Sequence, residues 1–155
     1  MKTLIIASDH AGFELKTSIL KDSFANQLNI HFIDCGTDNN QSCDYPDYAN
    51  KAINLYQDLM KTDSANHVFI LLICGSGIGV SIMANRYTFI RAALCYEPEL
   101  ASLAREHNNA NCLCLGSRFT DVTKAKNIVT SFVTTEFDIK NDRHVKRVDK
   151  LSKAL

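Results

Sequence analysis

The clearest chemical potential in the sequence lies at Cys74, which follows an unbroken apolar run over residues 68–73. Three glycines come directly after it, at positions 75, 77 and 79, with Ser76 between the first two. Glycines let the backbone turn tightly and bring its N–H groups close to a ligand. The apolar residues from Val80 onward indicate a helix, whose N-terminus adds unpaired N–H donors and partial positive charge. The stretch therefore predicts an anion-binding turn with a thiol at its edge.

This turn does not match the better-known glycine-rich motifs. A dinucleotide fingerprint requires glycine or alanine where this chain has Val80, and no Gly-Lys-Ser/Thr follows as a Walker A loop requires. A nucleophile elbow requires glycine two residues before Ser76, where Cys74 stands. A buried cysteine beside a tight turn explains this stretch alone equally well, so other parts of the chain must decide.

Other polar residues offer candidates, each with a plainer alternative. His10 follows a predicted strand, where a histidine is often only a surface or cap residue. His107 ends a predicted helix and could simply be favourable at a helix C-terminus. Arg143 and Arg147 are four residues apart, so they share one helical face and could clamp a phosphate, although a solvated basic turn is the commoner outcome. The His and Cys residues lack the close spacing of metal ligands, so no metal site is expected.

The bulk composition narrows the class of protein. A chain of 155 residues is expected to form one domain, 1–155, with a sizeable core. Its 17 basic and 17 acidic residues balance, so charge indicates neither a nucleic-acid nor a membrane partner. No signal peptide or transmembrane stretch is recognisable, which predicts a cytoplasmic protein. The six cysteines are then expected to be free thiols in a reducing compartment, and Cys112 and Cys114 to point the same way from one strand.

Apolar periodicity predicts alternating strands and helices. Strands are expected over residues 3–7, 30–33, 68–73, 90–95 and 111–115. Helices are expected from 13 to about 28, from Pro46 to about 59, after the glycine turn, from 97 to about 109, from a Thr120 cap to 132, and over about 142–155. The alternation predicts a Rossmann-like, three-layer α/β fold with a five-stranded parallel sheet and helices on both faces. His31 and His67 lie at strand starts and are expected to be structural.

In such sheets ligands bind outside the carboxyl ends of the strands. Asp9 and His10, Cys74 with its glycine turn, and Ser117 with Arg118 all follow predicted strands at those ends. Their convergence on one edge favours a functional site over the plainer alternatives.

Six blocks in order along the chain resemble the family of ribose-5-phosphate isomerase B and of the allose- and galactose-phosphate isomerases. The blocks are 8–13 (SDHAGF), 44–49 (DYPDYA), 73–79 (ICGSGIG), 106–111 (EHNNAN), 116–118 (GSR) and 143–147 (RHVKR). One departure is a slightly long connection at 61–66, which touches no site residue.

The resemblance implies an aldose–ketose isomerase of the pentose phosphate pathway that acts through an enediolate. Cys74 would be the base, and a thiol with a pKa of about 8.5 can be made more acidic by a helix N-terminus. Some family members instead use a glutamate six residues later, where this chain has Val80. The turn's N–H groups (Gly75, Gly77, Ile78 and Gly79) would hold the enediolate oxygen, and Ser76 would relay a proton. His107, with Asp9, would open the furanose ring.

By the same resemblance, phosphate would be bound by His10, Arg118, Arg143 and Arg147, and sugar hydroxyls by Tyr45 and Asn108. The family needs no cofactor or metal and forms homodimers with shared active sites, and dimers of dimers are also compatible with it. A choice between five- and six-carbon sugar phosphates stays open. Two other classes rank lower: a low-molecular-weight phosphatase, which needs an arginine where Val80 stands, and a non-catalytic sugar-phosphate sensor.

The order of elements also predicts how the site is divided. A helix that follows its strand across a parallel sheet ends near the strands' amino ends, so His107 should lie far from Cys74 within one chain. We therefore expect His107, and Arg118 with it, to reach the site from a two-fold partner.

Overall fold

Five parallel strands form one sheet in the computed structural model, which describes residues 1–21, 23–62 and 67–153. The strands are β1 (Lys2–Ser8), β2 (Ile30–Asp34), β3 (Val68–Cys74), β4 (Ala92–Leu94) and β5 (Cys112–Gly116). Their order across the sheet is β2-β1-β3-β5-β4. The predicted fold class, a five-stranded parallel α/β sheet, is confirmed.

Strand β3 lies at the centre of the sheet, and all seven of its residues are buried. It pairs with β1 from Thr3–Val68 to Ser8–Ile73, and with β5 from Ile70–Cys112 to Cys74–Gly116. A continuous apolar run of this kind is typical of a parallel strand covered on both faces. The register brings the carboxyl ends of β1, β3 and β5 to one edge of the sheet.

Helices cover both faces and make three layers. The helices are α1 (Phe13–Leu20), α2 (Phe24–Leu28), α3 (Tyr45–Thr62), α4 (Ile78–Ala84), α5 (Pro98–Asn108), α6 (Val122–Thr134) and α7 (Asp142–Leu151). One buried cluster joins the sheet to α3 and α4 through residues such as Ile53 and Val80. A second cluster joins the other face to α1, α2, α5 and α6 through residues such as Ile19 and Phe132.

Two predicted elements differ in length. The single helix expected from residue 13 to about 28 is two helices, with Ser23 at the N-cap position of α2. Leu15, Ile19 and Phe24 nevertheless pack in one cluster, which explains why the apolar period continued across the break. The fourth strand is shorter than predicted, since it covers Ala92–Leu94 only.

Several helix ends also differ from the predicted ones, and the other four strands differ from prediction by one residue at one or both ends. Helix α3 begins at Tyr45, one residue before the expected Pro46. The cap of α6 is Asp121, whose carboxylate accepts the Lys124 N–H at 2.9 Å, and the predicted cap Thr120 is buried instead. The last helix begins at Asp142 as predicted but ends at Leu151, and residues 154–155 lie outside the described part of the chain. Most of the connection noted at 61–66 also lies outside it.

Across the described ranges, no helix combines the length and the apolar character needed to cross a membrane.

Candidate active site

Cys74 is the last residue of β3, and its side chain is almost fully buried. Its Sγ accepts a hydrogen bond from the Gly77 N–H at 3.1 Å. Gly77 has a left-handed backbone (φ 75°), and a Cβ there would lie 2.8 Å from the carbonyl carbon of Leu115. Only glycine fits both conditions, so the sequence places an N–H donor directly on the thiol.

The turn after Cys74 is held by further hydrogen bonds. Ser76 Oγ accepts the Ile78 N–H at 3.3 Å, and the Tyr96 hydroxyl donates to the Ser76 carbonyl at 2.9 Å. Two N–H groups of the turn therefore point at the thiol and at the serine hydroxyl. An oxyanion placed between those side chains would meet the same donors. Nothing in the sequence indicated that Tyr96 would anchor the turn, because this contact depends on tertiary structure.

Tyr45 lies over the same turn from the start of α3. A Cβ on Gly79 would lie 2.6 Å from Cζ of the Tyr45 ring, so the ring rests directly on the glycine backbone. The tyrosine is 37% exposed, which leaves part of the ring open to a ligand. The structure thus places Tyr45 beside the Cys74 turn, where Tyr45 and Cys74 could contact the same small molecule.

Asp9 and His10 follow β1 at the same edge. Asp9 is buried, its Oδ1 accepts the Gly12 N–H at 3.0 Å, and its own N–H donates to the Ile73 carbonyl at 3.3 Å. Both the N–H and the carbonyl oxygen of Cys43 lie 3.2 Å from Nδ1 of His10. Cys43 can therefore hold the ring with Nδ1 either accepting or donating, and Nε2 stays available for another group.

Arg118 completes this group of residues from the loop after β5. Its N–H donates to the Gly75 carbonyl at 3.1 Å, and a Cβ on Gly75 would lie 3.1 Å from its guanidinium carbon. The neighbouring Ser117 hydroxyl donates to the Ala11 carbonyl at 2.7 Å and ties this loop to the one after β1. The expectation that Arg118 reaches Cys74 from a partner is therefore wrong, because it already lies beside the turn in its own chain.

We call this group the thiol half-site. It comprises Asp9, His10, Tyr45, Cys74, the turn residues Gly75, Ser76, Gly77, Ile78 and Gly79, and Arg118.

His107 and Asn108 lie at the opposite edge of the sheet, at the end of α5. The chain then turns through Asn109, and the N–H of Asn111, the residue before β5, donates to the Arg91 carbonyl at 3.2 Å. The five residues of β5, which span ~13 Å at 3.3 Å per residue, separate this edge from Gly116 and its partner Cys74. The predicted separation of His107 from Cys74 within one chain is present.

The end of α5 is fixed by Arg105, which the sequence analysis did not single out. Its buried guanidinium donates to Asn109 Oδ1 at 2.9 Å and to the Ala110 carbonyl at 2.6 Å, and lies over the ring of Phe69. Arg105 therefore holds the turn that follows His107 and Asn108. Neither the spacing nor the type of Arg105 distinguishes it from a surface arginine in the sequence.

Helix α7 adds a pair of arginines to this edge. The ring of His144, in its first turn, stacks on His107 with centroids 4.3 Å apart and planes 9° apart. Burial is the largest cause of a lowered pKa at His144, and the nearby His107 and Arg143 lower it further. Arg143 and Arg147 are exposed on the same helix, one turn apart. We call His107, Asn108, Arg143, His144 and Arg147 the histidine half-site.

The other cysteines and histidines lie outside both half-sites, although the backbone of Cys43 contacts His10. All six cysteines are free, and Cys112 and Cys114 point to the same side with sulfurs 4.0 Å apart, as predicted. Burial and the neighbouring Cys114 raise the pKa of Cys95 to about 12, so this thiol stays protonated at neutral pH. Among the described residues, no three His, Cys, Asp or Glu side chains are grouped to hold a metal ion.

Comparison with known proteins gives a consistent assignment. The Ribose/Galactose Isomerase family matches residues 4–151. A putative sugar phosphate isomerase of Rickettsia conorii is 42% identical over 153 residues, which cover 97% of this chain and 99% of the relative. Ribose-5-phosphate isomerase B of Escherichia coli is 36% identical over 152 residues, covering 98% and 95%.

Solved structures agree. The crystal structure of a ribose 5-phosphate isomerase from Thermotoga maritima shares 43% identity, covers 98% of both chains and superposes with a TM-score of 0.85. Ribose 5-phosphate isomerase B from Anaplasma phagocytophilum shares 43% identity over 97% of both chains, with a TM-score of 0.81. On these matches, which cover nearly the whole chain, the protein is an isomerase and belongs to the Ribose/Galactose Isomerase family.

Proposed function

We propose that this isomerase interconverts ribose 5-phosphate and ribulose 5-phosphate, a step of the pentose phosphate pathway, with Cys74 as the base. The observation that carries the proposal is the thiol itself, which ends the central strand and accepts a hydrogen bond from the Gly77 N–H of the turn. An N–H donor aimed at sulfur favours a negatively charged acceptor, which is the form that acts as a base.

The chemistry follows from this geometry. The Cys74 thiolate takes the proton from C2 of the open-chain aldose, and the electron pair left on carbon forms the enediolate. The thiol then returns the proton to C1, while Ser76 passes a hydroxyl proton between the two substrate oxygens. Backbone N–H groups of the turn, from Gly75 to Gly79, stabilise the negative charge that develops on oxygen. No metal or cofactor is required by this sequence of steps.

Binding of the sugar phosphate would draw on both half-sites. His10 and Arg118 in the thiol half-site, with Arg143 and Arg147 in the histidine half-site, would bind phosphate through charge-assisted hydrogen bonds. Tyr45 and Asn108 would contact sugar hydroxyls. His107, together with Asp9, would open the furanose ring by moving a proton between the ring oxygen and the anomeric hydroxyl.

A homodimer would bring the two half-sites together. Within one chain they lie at opposite edges of the sheet, so a two-fold axis across the strands would set the partner's His107 against Cys74. Large apolar side chains around the thiol half-site support such an interface, since Ile78 and Ile82 are each 52% exposed and Phe119 is 64% exposed. Two such dimers could also associate as a tetramer.

The six free cysteines support a reducing compartment, and we place the enzyme in the cytoplasm.

A substrate panel tests the proposal. Ribose 5-phosphate, allose 6-phosphate and galactose 6-phosphate would be offered to the purified enzyme, and ketose formation followed as an initial rate. We expect the highest kcat/KM with ribose 5-phosphate. Preference for a six-carbon phosphate would keep the isomerase but replace the substrate, and no turnover of any of the three would overturn the proposed function.

A further inference from the structure

We propose that His144 is a positioning residue for ring opening, because its buried ring stacks face to face on His107 and fixes the orientation of that imidazole. The inference rests on the proposed function, in which His107 exchanges protons with the sugar ring. It assigns to His144 a role distinct from phosphate binding by its neighbours Arg143 and Arg147.

The first observation is the geometry of the pair. The two rings lie 4.3 Å apart between centroids and are 9° from parallel. His144 is 5% exposed, whereas His107 is only partly buried. One face of the His107 ring is therefore covered by a buried, ordered ring, and the remainder of the imidazole is left to meet a substrate.

The backbone around His144 is held in place independently of the stack. The His144 N–H donates to the Asn141 carbonyl at 2.9 Å, within the first turn of α7. The preceding segment is tied to α5, since the Asp138 N–H donates to the Glu106 carbonyl at 3.0 Å. These main-chain hydrogen bonds hold His144 beside the last turn of α5, so the position of its ring is fixed.

The charges around His144 favour a neutral ring. Burial is the main cause of its lowered pKa, and the nearby His107, Arg143 and Arg147 act in the same direction, while Asp138 acts in the opposite one. A second cation at this distance would repel His107 whenever His107 carries a proton. A neutral aromatic face instead tolerates His107 in both states, and can attract the protonated one.

Orientation matters because proton transfer requires the acid or base to sit within hydrogen-bond reach of the reacting atom. Small displacements of such a group can reduce rates by about 100-fold. A half-exposed histidine without the stack would sample several ring orientations. Loss of the planar partner should therefore affect the step that uses His107 and spare the step that uses Cys74.

The test compares His144→Phe, which keeps a flat neutral ring, with His144→Leu, which fills the space without one. We expect the rate of conversion of cyclic ribose 5-phosphate by His144→Phe to stay within about threefold of the parent rate, and the rate of His144→Leu to fall tenfold or more.

Ribulose 5-phosphate cannot close a furanose ring, because its 5-oxygen carries the phosphate. Deuterium exchange at its C1 in D2O should therefore persist in both variants. His31→Ala, which removes an exposed histidine from β2, is the matched control and should change nothing.

NMR supplies a readout that does not depend on activity. Stacking at this distance should shift the ring C–H resonances of His107 upfield in the parent and in His144→Phe, and that shift should vanish in His144→Leu. Retained aldose conversion in a folded His144→Leu protein would overturn the inference. So would a His144→Phe protein as inactive as His144→Leu with one limb missing from its pH profile, since His144 would then itself exchange a proton. A parent enzyme inactive on both sugars would instead refute the proposed function.

Discussion

The ring of Tyr45 occupies the space in which any side chain at position 79 would begin. A Cβ on Gly79 would lie 2.6 Å from Tyr45 Cζ and 2.9 Å from both Cε atoms, closer than a real Cβ contact allows. Gly79 lies within α4 and its φ is not positive, so the glycine is required by the tyrosine and not by the backbone. The pair links the thiol half-site to the first turn of α3.

Gly79→Ala should therefore act through Tyr45. The fold should be kept, because alanine suits a helix, but the displaced ring should raise KM about tenfold. In a Tyr45→Ala background, adding Gly79→Ala should have little further effect, since residues in contact do not act additively. Steady-state kinetics on the four proteins of this cycle measure the coupling. Strictly additive effects would show that Tyr45 and Gly79 act separately.

The arginines of α7 should contribute to phosphate binding. Arg143→Ala and Arg147→Ala should each raise KM roughly tenfold or more, because a hydrogen bond to a charged group contributes about 1.5–3 kcal/mol. Inorganic phosphate should inhibit the parent competitively, and both variants less strongly. Lys61→Ala, which removes an exposed cation at the end of α3, is the control. Normal KM values in both arginine variants would show that Arg143 and Arg147 are solvated surface residues that do not bind phosphate.

The sequence predicted the parts of this account that depend on local pattern. Buried apolar runs identified the strands, and the position of Cys74 after one of them located the edge of the sheet that carries the thiol half-site. A helix that follows a parallel strand returns to the amino ends of the strands, so the sequence also predicted that His107 lies far from Cys74 within one chain. Arg118 was misplaced because the conformation of a loop residue is set by tertiary contacts, here with Gly75. Tyr96 and the ring of His144 were missed for the same reason, since each contacts a residue distant in sequence. Arg105 was missed because its burial over the ring of Phe69 is also a tertiary contact.

The buried thiol of Cys95 predicts a loss of stability in alkali. Its pKa of about 12 exceeds that of an unfolded cysteine, so the unfolded chain loses this proton first as pH rises. The stabilising contribution is complete below about pH 8.5 and declines towards pH 12. Urea unfolding between pH 8 and 11 should show a falling free energy, with a shallower slope in Cys95→Ala. An unchanged slope in that variant would assign the alkaline loss to other groups.

Hybrid dimers test whether two chains share one site. Cys74→Ala and His107→Ala proteins, each inactive on cyclic ribose 5-phosphate, would be unfolded together and refolded as a mixture. Each hybrid has one site with both lesions and one with neither. Random pairing makes about half of the dimers hybrid, so about a quarter of all sites should recover full activity.

A control mixture of Cys74→Ala with Cys74→Ser should recover nothing, because every site then lacks the thiol. Mass spectrometry of the refolded mixture verifies that hybrids formed. No activity in verified hybrids would place Cys74 and His107 in the same subunit.

The role of Cys74 as the base is tested most directly by isotope exchange in the Cys74→Ser protein. With ribose 5-phosphate in D2O, the parent should place deuterium at C2, and NMR of the recovered sugar detects it. A serine hydroxyl is far too weak a base at neutral pH, so the exchange should disappear in Cys74→Ser while inorganic phosphate still binds. Cys95→Ser makes the same chemical change at a buried thiol outside the site and should exchange normally. Deuterium at C2 of the ribose 5-phosphate recovered from the Cys74→Ser reaction would contradict the account and would assign the base to another residue.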